Sequence, residues 1–125
     1  LIARSAAQRA TPEERATFKA IAEGIEKASS EKDDIAFMRY DDELNKLMAL
    51  AAHNEYANRA IGLMHGLSRR FWYMHYKETA DLPLTARLHA QLARTISEGD
   101  AEGAGQASDK LVDYVEAFTR ATVSA

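Results

Sequence analysis

Three polar residues lie where helical periodicity calls for apolar side chains, and their chemistry suits binding of a polar molecule. Asp41 and Asn45 fall, at spacings of three and four residues, on the apolar face of one predicted helix. The apolar residues of that face are Phe37, Met38, Leu44, Met48 and Ala52. His89 falls on the apolar face of a second predicted helix, in line with Leu82, Thr85, Leu92 and Ile96. Because an unpaired polar group is costly in an apolar interior, the three side chains form either a shared hydrogen-bonded network or a cavity lined for a polar ligand.

An imidazole beside a carboxylate can be arranged in two ways. A protonated His89 would pair with Asp41 and leave Asn45 to donate and accept around a ligand carboxylate or hydroxyl. Alternatively, Asp41 would orient a neutral imidazole and leave its other nitrogen free for the ligand. Proton transfer by this pair is conceivable, but the sequence has no nucleophile motif, glycine-rich phosphate loop or H-E-x-x-H motif. We therefore predict that the chain is not an enzyme.

Length and composition indicate one ordinary globular domain spanning residues 1–125. The net charge of −3 argues against direct binding of this chain to a nucleic-acid backbone. Cysteine is absent, which excludes disulfides and thiolate metal sites and fits a cytoplasmic location. No apolar run approaches the roughly 18 residues of a membrane span, so we expect no membrane partner. The chain opens in helix-like sequence without Met, and we expect it to be the end of a longer polypeptide.

The sequence is helical throughout, because long apolar–polar alternation typical of strands is missing. Residues 1–9 resemble the tail of a helix, and Thr11-Pro12 is a strong start signal for the next, which ends near residue 30. Further helices are predicted from Asp33 or Asp34 to Ala52, from Asn54 through His75, and from about Pro83 to Glu98. Gly99-Asp100 predicts a tight turn into the last helix. The inward stripe of that helix is Ala104, Ala107, Leu111, Tyr114 or Val115, and Phe118. Short connections between these helices predict an all-α antiparallel bundle of about six helices.

Three motifs in chain order resemble those of one family. The first is the start signal at residues 11–14. The second, residues 41–45 followed by 51–54, resembles the pattern D-x-x-F-H…A-x-x-N. The third, residues 89–100, looks like H-x-x-I-x-x-A-I-x-x-G-D. Together they resemble the C-terminal effector-binding domain, the FCD domain, of FadR-type GntR transcriptional regulators.

This resemblance implies a helical bundle around a central pocket for a small metabolite, commonly a carboxylate. It also implies that the parent regulator is a homodimer and contacts DNA through an N-terminal winged helix-turn-helix absent from this chain. The competing hypothesis is a purely structural or dimerisation module whose pocket has collapsed.

Many members of that family hold a divalent metal with one Asp and three His residues. Carried over by position, Asp41 matches the Asp and His89 the second His, whereas Asn45 and Leu111 replace the other two. An amide is a weak ligand and an aliphatic side chain is none. We therefore expect no cofactor and no tightly held metal, although weak binding of a divalent ion stays open. Arg70, His75 and Leu111 are further candidate pocket positions.

Overall fold

The structure, a computed structural model, describes residues 1–56, 59, 71, 74–75 and 81–124. The described residues contain helices and no strand, which confirms the prediction of an all-α bundle. The helices are α1 (Ile2–Arg9), α2 (Pro12–Ser30), α3 (Asp34–Ala51), α4 (Leu82–Ser97) and α5 (Ala101–Ser124). The helix predicted from Asn54 through His75 lies for the most part outside the described residues.

Local side-chain chemistry sets where these helices begin. Thr11 and Glu14 form a reciprocal capping box, in which the Thr11 hydroxyl accepts from the Glu14 amide at 3.1 Å. Asp33 caps α3 by accepting from the Ala36 amide, so the helix predicted to run from Asp33 or Asp34 begins at Asp34. Asp81 caps α4 in the same way. These caps fix the register of the two helices that carry the polar trio.

The turn between α4 and α5 follows the prediction. Gly99 has a φ of 71°, the left-handed conformation that favours glycine after a helix end. Asp100 then accepts from the Gly103 amide at 2.9 Å. Two long helices are thereby joined by a minimal connection.

Helix α2 is the central element of the core and packs against both α3 and α4. It contributes Phe18, Ile21 and Ile25, all buried. Helices α3 and α4 have few contacts with each other. The short, alanine-rich α1 packs against α3, α4 and α5. The polar trio therefore lies on two helices that α2 holds near each other.

Two arginine side chains form hydrogen bonds with the C-terminal carbonyls of helices in this core. The Arg9 guanidinium donates to the Ala52 carbonyl at the end of α3, and the Arg15 guanidinium donates to the Ala7 and Ala10 carbonyls at the end of α1. Charged donors at helix C-termini satisfy carbonyls that have no partner within the helix. In the described part of the chain, no helix combines the length and apolarity needed to cross a bilayer.

Candidate functional site

Asp41 lies at the centre of a polar cluster that joins α3 to α4. Its Oδ1 accepts a hydrogen bond from Asn45 Nδ2 at 3.1 Å and lies 3.0 Å from His89 Nε2. The Asn45 contact follows from the i, i+4 spacing on α3. The His89 contact depends on how the two helices pack. The structure thus brings together all three residues of the trio.

Both nitrogens of the His89 ring face acceptors. Nε2 faces the Asp41 carboxylate, and Nδ1 lies 2.7 Å from the Thr85 carbonyl one turn earlier on α4. A neutral imidazole donates from one nitrogen only, whereas an imidazolium donates from both. The geometry therefore favours a protonated His89 paired with Asp41. The other arrangement, a neutral imidazole that is oriented by Asp41 and keeps one nitrogen free for a ligand, is not the one observed. The Thr85 carbonyl lies at hydrogen-bond distance from that nitrogen.

The electrostatics of the site agree with this geometry. Burial of His89 acts to lower its pKa, since a charged ring is poorly solvated there. The Asp41 charge, the Asp41 hydrogen bond and the Thr85 carbonyl act in the opposite direction and prevail. The pKa of His89 therefore lies above its ordinary value of 6.5.

This raised pKa makes stability depend on pH. A group whose pKa is higher in the folded than in the unfolded state contributes its full stabilisation at any pH below its unfolded-state pKa. That stabilisation is lost as the pH rises through its folded-state pKa. We expect the free energy of unfolding to fall in urea titrations as pH rises above about 6.5, and His89→Gln to flatten this slope. Equal slopes in the two proteins would contradict a charged pair.

The cluster is neither sealed nor open to bulk water. The side chains of Asp41 and His89 are 14% and 9% exposed, and Asn45 is partly buried. Phe37 packs its ring edge-on to the His89 ring at 5.3 Å between centroids. An apolar ring beside a few converging polar groups is one feature of small-molecule sites.

Thr85 is a fourth polar group that periodicity placed on the inward stripe but that we did not predict as a site residue. Its hydroxyl is buried and has no hydrogen-bond partner among the described residues. Four other helical threonines donate to the carbonyl four residues earlier: Thr17, Thr95, Thr119 and Thr122. The corresponding carbonyl of Asp81 instead accepts from the Tyr114 hydroxyl at 3.4 Å as well as from the Thr85 amide. The feature of the sequence that could have identified Thr85 is a hydroxyl residue at a position of α4 that periodicity assigns to the core.

The lower-ranked candidates fall in different surroundings. His75 packs its ring on Phe71, with 4.7 Å between centroids. Leu111 is partly buried and packs against the hydrophobic core from α5. Arg70 lies outside the described residues. Roles for these three residues in ligand binding stay predictions.

Comparison with known protein families decides what kind of domain this is. A family model described as FCD domain matches residues 1–114. The chain belongs to the FCD domain family. FCD domains are the effector-binding, regulatory domains of GntR-type transcription regulators, and the family is not an enzyme family. Comparisons with curated proteins and with solved structures give no match for this chain.

The four residues carried over from metal-binding members do not fit the divalent metal that the resemblance implies. Asp41 Oδ1 and His89 Nε2 share a hydrogen bond, and Asn45 turns its amide nitrogen, a donor, toward the same carboxylate. Leu111 offers no ligand atom. Among the residues that the structure describes, no three His, Cys, Asp or Glu side chains converge as a metal site would require.

We expect the purified FCD domain to contain less than one equivalent of metal and to keep its melting temperature in EDTA. Asn45→His combined with Leu111→His adds the two missing imidazoles. That variant should be stabilised by Zn²⁺ or Ni²⁺ by about 2.7 kcal/mol at a concentration 100-fold above its Kd. Elemental analysis and thermal denaturation measure both effects, and Leu111→His alone is the control. Stoichiometric metal in the unmodified domain would contradict this expectation.

Proposed function

We propose that this domain senses a small metabolite, an organic acid, and thereby modulates DNA binding by a dimeric GntR/FadR-type parent in the cytoplasm. In this proposal the ligand binds at Asp41, Asn45 and His89, and the parent contacts DNA through an N-terminal winged helix-turn-helix. The observation that carries the proposal is the buried, partly accessible cluster that joins α3 to α4 inside an FCD domain.

The cluster has donors suited to a carboxylate. In the described part of the chain, the Asn45 side chain makes one hydrogen bond, to Asp41, and keeps a second N–H for a ligand. The Thr85 hydroxyl is a further donor one turn from His89. A ligand carboxylate can also replace Asp41 as the acceptor at His89 Nε2, since the two acceptors have the same chemistry.

Such an exchange gives ligand binding a structural consequence. Helices α3 and α4 have few contacts beyond this cluster, so loss of the Asp41–His89 pair loosens α3 from α4. The C-terminal end of α3 is bound to α1 through Arg9 and the Ala52 carbonyl at 3.0 Å. Helix α1 is the segment of this domain that comes first in the chain. A ligand with different affinities for the paired and the loosened arrangements of α3 and α4 shifts the balance between them. By the same coupling, DNA binding changes the affinity for the ligand.

The alternative function is a structural dimerisation module. The observation in its favour is that Asp41, Asn45 and His89 already contact one another, so the cluster can stay satisfied without a ligand. In that case the trio contributes to stability alone.

A thermal-shift screen of the domain against organic acids, sugar acids and amino acids separates the two functions. We expect at least one carboxylate to stabilise the domain, by about 2.7 kcal/mol at a concentration 100-fold above its Kd. A folded sample that responds to no compound of these classes would favour the structural alternative.

A further inference from the structure

The hydroxyl of Thr85 is a buried hydrogen-bonding group that the described part of the domain leaves without a partner. Thr85 is 1% exposed, and among the described residues its Oγ1 neither donates nor accepts a hydrogen bond. Most buried polar side-chain atoms are hydrogen-bonded, because a hydroxyl loses its favourable interactions with water when it is buried. An exception one turn from His89 indicates a partner that is not part of the described domain.

The cause lies at the carbonyl that Thr85 would ordinarily use. A helical threonine commonly donates to the carbonyl four residues earlier, as Thr95 of the same helix does to Gln91 at 3.0 Å. For Thr85 that carbonyl belongs to Asp81, and it already accepts twice. It accepts from the Thr85 amide at 2.9 Å and from the Tyr114 hydroxyl at 3.4 Å. Since a carbonyl oxygen has two lone pairs, Tyr114 of α5 displaces the Thr85 hydroxyl from its usual acceptor.

A second hydrogen bond holds Tyr114 in this position. The Tyr114 hydroxyl oxygen accepts from the Asp81 amide at 2.8 Å, so one hydroxyl bridges both backbone polar groups of the residue that caps α4. The amide fixes the Tyr114 oxygen as an acceptor and directs its proton to the Asp81 carbonyl. The packing of α5 on the start of α4 therefore decides whether the Thr85 hydroxyl is free.

The free hydroxyl lies on the same face of α4 as His89. Residues four apart on a helix have Cβ atoms roughly 5–6 Å apart, and the Thr85 carbonyl lies 2.7 Å from His89 Nδ1. The carboxylate and hydroxyl oxygens of one small acid can bridge such a span between two side chains. Because Thr85 is buried, a ligand reaches it in the loosened arrangement of α3 and α4, in which its carboxylate has replaced Asp41 at His89.

We propose that Thr85 is a specificity-determining residue, whose hydroxyl selects an organic acid that carries a hydroxyl group over the same acid without one. This inference rests on the proposed function, because it names the ligand class of the same site. Two hydroxyls can each donate or accept, so a ligand hydroxyl satisfies Thr85 in either direction. An acid without a hydroxyl leaves Thr85 unpaired, and sites that keep a buried polar group unpaired discriminate against such analogues.

Acids that differ by a single hydroxyl test this specificity. The probes are three pairs, malate and succinate, lactate and propionate, and 3-hydroxybutyrate and butyrate, each titrated calorimetrically into the domain. We expect at least one hydroxy acid to bind about tenfold more tightly than its partner without the hydroxyl. Thr85→Val should lose this preference. The matched control Thr95→Val should keep it, because the Thr95 hydroxyl is hydrogen-bonded within α4.

Equal affinities within every pair would overturn this inference, and they would leave the proposed function standing. Binding of none of the six acids would also overturn it, whereas the wider screen of carboxylates decides the proposed function separately. Loss of the preference in Thr95→Val as well would show that the Thr85 hydroxyl is not the selecting group.

The variant Tyr114→Phe tests why the hydroxyl is free. It releases the Asp81 carbonyl, to which Thr85 can then donate, so the Thr85 hydroxyl is withdrawn from the ligand. We expect affinity for the hydroxy acid to fall toward that for its partner, and affinity for the partner to stay unchanged. In a Thr85→Val background, Tyr114→Phe should have no effect on either. An equal loss of both affinities in both backgrounds would contradict this positioning role for Tyr114.

Thermal denaturation gives a readout without any ligand. Valine has the shape of threonine but no hydroxyl, so Thr85→Val removes an unpaired polar group and should keep or raise the melting temperature. Thr95→Val loses donated hydrogen bonds to the Gln91 and Leu92 carbonyls and should lower it. Circular dichroism confirms that both variants are folded. A melting temperature of Thr85→Val as low as that of Thr95→Val would show that the Thr85 hydroxyl is bonded in the free domain, and would overturn the proposal.

Discussion

Replacing Asp41 with alanine should lower the free energy of unfolding by about 3 kcal/mol. The substitution leaves the mostly buried His89 without the carboxylate that balances its charge, and it removes the acceptor of the Asn45 amide. Breaking a buried pair from one side is costly because the remaining group cannot be solvated. We expect a fall in melting temperature on the order of 10 °C, measured by urea and thermal denaturation.

Glu43 provides the matched control for this substitution. It is an exposed acid on the same helix, two residues away, so Glu43→Ala removes equal charge without touching the cluster. We expect its effect to stay within about 0.5 kcal/mol. If Asp41→Ala and Glu43→Ala were equally stable, the Asp41–His89 pair would not be the buried interaction described here.

The second large effect concerns the effector. Asp41→Leu combined with His89→Leu replaces a buried pair by apolar side chains, a change that is frequently neutral or stabilising. We expect this double variant to be markedly more stable than Asp41→Ala and to lose its thermal response to the organic acid. Stability and sensing would thereby be separated, because the apolar replacement removes the hydrogen-bonding groups and keeps the packing.

A response retained by the double variant would place the ligand elsewhere in the domain. A double variant as unstable as Asp41→Ala would indicate that the polar pair has a structural role that leucine cannot fill. The first outcome would contradict the proposed site but not sensing itself, whereas the second would favour the dimerisation module over the sensor.

Local rules were sufficient for much of the fold. The capping box at Thr11 and the turn at Gly99 depend on residues close in sequence, and both occur where predicted. Helical periodicity also placed Asp41, Asn45 and His89 inward, since that pattern depends only on spacing. The all-α bundle follows from these local signals.

Contacts between helices could not be predicted from the sequence. Periodicity left Tyr114 and Val115 as equal candidates for the inward stripe of α5. In the structure the Tyr114 hydroxyl accepts from the Asp81 amide at 2.8 Å, while Val115 is exposed. Neighbouring residues at the edge of a stripe differ by tertiary contacts alone, and spacing does not encode those.

The protonation state of His89 could not be predicted from residue spacing either. Spacing showed an imidazole pointing inward, and both ring states were consistent with it. The Thr85 carbonyl at the second nitrogen favours the charged ring, and that acceptor is a backbone atom that side-chain patterns do not show. Periodicity placed the Thr85 hydroxyl inward, but its lack of a partner among the described residues could not be predicted, because the Tyr114 hydroxyl donates to the Asp81 carbonyl.

Calorimetric titration of a carboxylate identified by the screen tests the proposed sensing site most directly. The unmodified domain and the Asp41→Leu/His89→Leu variant are titrated side by side, with Glu43→Ala as a third sample. We expect saturable binding to the unmodified domain and to Glu43→Ala, and no measurable heat from the folded double variant. Equal affinity of all three proteins would show that the metabolite does not bind at Asp41 and His89.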